Sequence, residues 1–128
     1  MRADPDFPPR PFTPSVPNIR ARRPARSLTD KLQAALLMLA DGHGAIARHV
    51  ERSWASVTFA GTRHTLDIVY SSTQAIAGGE RLLAALPDHE FTIPGQLVAD
   101  ATVVEAQHTL LPEARLAVTV ELLLLEES

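Results

Sequence analysis

Seven of the ten prolines in this chain fall within residues 1–26, and that placement decides where a cooperative fold can begin. Each proline removes a backbone donor and steers the residue before it away from helix. The stretch Pro5-Asp6-Phe7-Pro8-Pro9-Arg10-Pro11-Phe12-Thr13-Pro14 therefore reads as extended polyproline-II backbone or an unfolded arm. The same segment holds six arginines against Asp4 and Asp6, whereas residues 27–128 hold six basic and thirteen acidic side chains. The expected organisation is a Pro/Arg-rich tail over 1–26, flexible or docked, and one domain over 27–128 whose charge opposes that of the tail.

Roughly a hundred residues can bury a core without disulfides or metals. The chain has no cysteine, which removes disulfides, thiolate catalysis and cysteine-ligated zinc, and suits a cytoplasmic protein. The tail lacks the apolar core of a secretory signal. No apolar run approaches the roughly 18 residues that span a bilayer, so no membrane partner is expected.

Ser27-Leu28-Thr29-Asp30 reads as a helix start, with Ser27 as cap. Leu28, Leu32, Ala35, Leu36 and Leu39 then recur at helical spacing, and Gly42 reads as the left-handed stop. Leu37 and Met38 lie beside this stripe and widen the apolar surface. Ala45 to Glu51 reads as a short edge strand. Trp54 to Tyr70 reads as a hairpin turning at Gly61-Thr62, with Ala60 opposite Arg63, Phe59 opposite His64 and Ala55 opposite Ile68. In that arrangement Trp54 and Val69 neighbour each other on the more polar face.

Ser71 or Ser72 opens a second helix, with Ser71 and Gln74 as a capping box, and Pro87 ends it. Gly78-Gly79 inside this helix costs roughly 1 kcal/mol per glycine relative to alanine, and close approach to the sheet or another helix would offset that. Phe91 to Ile93 is extended and turns at Pro94-Gly95. Leu97 to Leu110 and Arg115 to Glu126 form a second hairpin, with Leu110 opposite Leu116, Val104 opposite Leu122, and Glu105 facing Glu121 near an arginine such as Arg115, Arg81 or one of the tail. The last strand becomes apolar on both faces at Leu123 and Leu125. The expected fold is α+β: a single domain with a mostly antiparallel sheet, two helices packed on it, and the order α-β-β-β-α-β-β. By element order, residues 27–127 resemble small phage tail-completion proteins, and the resemblance implies a structural protein that assembles into rings.

No motif carries catalysis. The five histidines show no i, i+4 metal spacing, and no Gly-x-Ser-x-Gly elbow exists. No cofactor or metal is expected, and the balance leans away from an enzyme. His64, Asp100 and His108 are candidates for a polar pocket between sheet and helix. Leu37, Met38, Trp54, Val69, Leu123 and Leu125 exceed one buried layer and are candidates for an interface, with the chain itself or another protein as partner. Phe7, Phe12, Arg20, Arg22, Arg23 and Arg26 are candidates for tail contacts. Four clustered arginines before an acidic body make nucleic acid a poor partner.

Overall fold

In the first helix, α1 (Leu28–Leu39), the Ser27 hydroxyl accepts the Asp30 amide at 3.1 Å, as a capping serine does. The computed structural model describes residues 27–127, and the tail candidates Phe7, Phe12, Arg20, Arg22, Arg23 and Arg26 lie outside them. Helix α1 stops in a left-handed turn at Asp41 and Gly42, both with positive φ. The Gly42 amide reaches back to the Leu37 carbonyl at 2.7 Å, which satisfies a carbonyl the helix leaves open. From Lys31 onward the chain forms one compact unit.

Two antiparallel hairpins follow, separated by a helix: β1 (Ala45–Ala55) with β2 (Ala60–Tyr70), α2 (Thr73–Ala85) continuing into a 3-10 turn over Leu86–Asp88, then β3 (Gln96–Thr109) with β4 (Arg115–Glu126). They join into one four-stranded sheet of order β1-β2-β4-β3, antiparallel throughout. The fold is α+β as expected, but with one strand fewer. Ala45 to Glu51 is no separate strand. It is the first part of β1, on the sheet edge.

That difference comes from the turn. The chain reverses over Ser56–Phe59, not Gly61-Thr62, and Ala55 pairs with Ala60. Ser56 closes the loop: its amide donates to the Phe59 carbonyl at 2.7 Å, and its hydroxyl accepts from the amides of Thr58 and Phe59. A serine that replaces backbone partners in this way stabilises a four-residue connection. Gly61 is left inside β2, where a Cβ would collide with the backbone of Leu124 and Leu125. His64 consequently faces Glu51 rather than Phe59, and Ile68 faces Ile46 rather than Ala55.

The second hairpin also departs from the expected register. His108, not Leu110, pairs with Leu116, and bulges fall between Val98 and Asp100 and between Val103 and Glu105. Val104 sits in the second bulge and is exposed. Glu121 stands opposite Thr102 and Glu105 opposite Thr119, so the like-charge pair is avoided. The arginine beside Glu121 is Arg63, at 3.3 Å.

One face of the sheet is the core. Leu66, Ile68 and Tyr70 of β2 and Leu116, Val118, Val120, Leu122 and Leu124 of β4 are buried, together with Leu32 and Leu36 of α1 and Ile76 and Leu82 of α2. Ser72, rather than Ser71, caps α2 by accepting the Ala75 amide at 3.0 Å. The glycine pair explains itself in space. A Cβ on Gly78 would strike the Ala40 carbonyl at the end of α1, and one on Gly79 would lie 2.7 Å from the Tyr70 ring and 2.8 Å from Leu116. Both helices therefore lie on this inner face.

Candidate functional site

Alternation along β2 points His64, Leu66, Ile68 and Tyr70 at the helices. His64 is the buried polar residue of the described core, and burying it demands partners. The register supplies them. Glu51 stands directly opposite on β1, and His49, two residues away on the same strand, opposes Leu66. His49 Nε2 lies 2.9 Å from His64 Nδ1, and the rings tilt at 57° with centroids 5.1 Å apart. Helix α1 completes the row through Gln33, whose amide is 3.0 Å from His49 Nδ1.

With the Gln33 amide nitrogen as donor, His49 carries its proton on Nε2 and donates it to His64 Nδ1. His64 then carries its own proton on Nε2. That atom is buried with no hydrogen-bond partner. Burial lowers the pKa of both rings; Glu51 opposes the shift in both, and His49 adds to it in His64. Both imidazoles are thus held toward the neutral form. One ligating atom from each of His49, Glu51 and His64 lies within 4.8 Å of the others.

The outer face carries no helix among the described residues. Across its middle run two polar rows. Asp67 accepts from Thr119 at 2.7 Å and lies 3.7 Å from Arg48. Glu121 pairs with Arg63 and accepts from Thr65 at 3.4 Å. Toward the Ser56–Phe59 loop the face turns apolar. Trp54 pairs with Gly61, Gly61 with Leu125 and Leu125 with Leu97, and Leu123 follows on β4. Leu97 and Phe59 are each 50% exposed and Val57 is fully exposed. Phe59, Leu97 and Leu125 line a groove of about 590 Å³ whose rim includes Glu126 and Glu127.

The candidates singled out from sequence separate accordingly. Trp54 and Leu123 are half-buried on the outer face. Val69 shares that face but pairs with Ala45, at the far end from Trp54, so the expected Trp54–Val69 neighbourhood does not form. Leu125 is 7% exposed, more core than surface. On α1, Leu37 is half-buried and Met38 exposed. The three polar-pocket residues do not converge. Asp100 is exposed on the outer row opposite Leu123 and accepts from the Thr102 hydroxyl at 3.4 Å. His108 is exposed and shares a row with Leu116 and Tyr70, roughly 20 Å along the sheet from the His64 row at the usual strand rise. His49 and Glu51, which do reach His64, were not among the candidates. Their signal is the His-x-Glu spacing that puts both on one face of a strand.

No helix among the described residues is long and apolar enough to cross a membrane. No family model matches the chain, and no curated protein matches it. Among solved structures, a chain of the virion of a native gene transfer agent particle is similar in fold. It has 14% identity and a TM-score of 0.49 over 78% of this chain and 92% of that one.

Proposed function

We propose that this chain is a non-catalytic assembly or interaction protein that associates with copies of itself through the outer face of its sheet. The observation that carries this reading is the apolar end of that face, where Trp54 and Leu123 are half-buried and Leu97 and Phe59, each 50% exposed, line one groove with Leu125 at its floor. Monomeric proteins rarely leave a contiguous apolar patch bare. A polar rim around an apolar centre is the usual make-up of an interface. The Arg48–Asp67 and Arg63–Glu121 rows place both signs of charge on one surface, so a second copy meeting it about a two-fold axis can set charges of opposite sign against each other. A chain without cysteine suits a reducing compartment such as the cytoplasm. A structural protein of the tail-completion kind would be one instance of this class.

Sedimentation at micromolar concentration tests the reading. The wild-type chain is expected to sediment as an oligomer, and the double variant Phe59→Glu, Leu97→Glu as a monomer with unchanged circular dichroism, because both positions are half-exposed. A wild-type monomer with Trp54 fluorescence as solvated as in the unfolded chain would refute it. A small enzyme or ligand-binding domain is the alternative reading; of its three pocket residues, Asp100 stands on the outer face and His108 roughly 20 Å along the inner face from His64. Nucleic-acid binding by the arginine tail predicts salt-sensitive binding lost on deleting residues 1–26.

A further inference from the structure

We propose that His49, Glu51 and His64 form a binding site for one divalent transition-metal ion of the zinc type, with Gln33 orienting His49 from outside the ligand set. The three residues come from two neighbouring strands, and their ligating atoms already lie within 4.8 Å of one another. Two nitrogens bound to one ion at the usual metal–nitrogen length of about 2.0–2.1 Å stand roughly 2.9–3.4 Å apart, depending on the angle between them. The observed His49 Nε2 to His64 Nδ1 separation is 2.9 Å.

A second observation is independent of that spacing. The hydrogen-bonded row ends on His64 Nε2, which is buried and has no partner; a metal on Nδ1 keeps the proton on that atom, so the orphan marks what it costs to bury a histidine here and is not itself a ligand position. A core that needed only packing here would be better served by an apolar residue like its neighbour Leu66. The donor set selects the ion. Two imidazoles and one carboxylate favour zinc, cobalt, nickel or copper over magnesium and calcium, which take oxygen ligands. Three protein ligands leave one tetrahedral position open, and the exposure of Glu51 puts water within reach of it.

Gln33 fits both states of the site. To ligate through Nε2, His49 moves its proton to Nδ1, and the Gln33 amide can turn to accept it through its oxygen, since one amide offers both a donor and an acceptor. Partners of this kind orient ligating histidines, and their loss weakens metal affinity about 10–100-fold. The site occupies the inner face and the proposed docking surface the outer one, so either can fail without the other.

Calorimetry with zinc, and visible d–d absorption with cobalt, on the full-length tag-free chain stripped with chelator would decide it. The expected result is one ion per chain with a raised melting temperature. Binding should weaken at least about tenfold in His49→Ala and in Glu51→Gln, and about tenfold in Gln33→Leu. It should be retained in Gln33→Glu and in a variant with His43, His89 and His108 all changed to alanine. Glu51 is exposed, so Glu51→Gln serves even if His49→Ala fails to fold. No binding, or weak binding of several ions unchanged by Glu51→Gln, would overturn the proposal.

Discussion

Replacing Leu122 with alanine is expected to lower the unfolding free energy by about 2–5 kcal/mol, the range for truncating a buried leucine. Leu122 has no exposed surface and lies on β4, an interior strand of the sheet. Its row neighbours are His64 on β2 and Ala101 on β3. Alanine on one side and a ring held by hydrogen bonds on the other leave little that could move in to fill the space, which favours the upper part of the range. Urea denaturation should show a lower midpoint with an unchanged slope. A shift worth less than about 1 kcal/mol would mean that the inner face is not packed as described. Leu66→Ala, one row along and equally buried, should behave alike.

Gly78→Ala is expected to destabilise the protein although alanine is the better helix former. On propensity alone the change would add about 1 kcal/mol of stability. Here the new methyl would meet the Ala40 carbonyl oxygen, with His43 Cδ2 at 3.1 Å beside it. The oxygen belongs to the backbone at the end of α1, so no side-chain rotation relieves the clash and the helices must separate. Overpacking of this kind costs about 1–3 kcal/mol, enough to reverse the sign. Gly79→Leu should be worse, since it drives a larger side chain into the Tyr70 ring and Leu116. Ala77→Gly is the control: Ala77 is exposed on the same helix, so the swap should cost only the propensity difference. A melting temperature raised by Gly78→Ala would show that α1 and α2 do not touch there.

Much of the architecture could be read without coordinates. Ser27 caps α1, Gly42 lies in the turn that stops it, and β4 spans Arg115–Glu126 as its alternation predicts. The alternation of His64, Leu66 and Ile68 against Thr65 and Asp67 assigns the two faces of β2 correctly. The candidate metal site could not be read, and a single misplaced turn hid it. With the reversal set at Gly61-Thr62, His64 faces Phe59 and looks like a packed ring at the end of an apolar row. With the reversal at Ser56–Phe59 it faces Glu51, and His49 comes within hydrogen-bonding distance.

The partner of His64 moves eight residues between these registers, from Phe59 to Glu51. Eight is even, so the side chains of β2 keep their faces and their alternation does not report the change, while Val57 and Phe59 leave the strand for the exposed loop. The amino-acid pattern alone therefore determined the two helices and the inward and outward faces of β2 and β4, because these are set by neighbours a few residues away. The tertiary structure alone decided which residues stand opposite one another. Register depends on how a loop closes, on where bulges at Val98/Asp100 and Val103/Glu105 absorb a residue, and on the space that Leu124 and Leu125 leave beside Gly61. Those are interactions between segments far apart in the chain, and they are what bring Gln33, His49, Glu51 and His64 together while leaving the outer face of the sheet without a helix among the described residues.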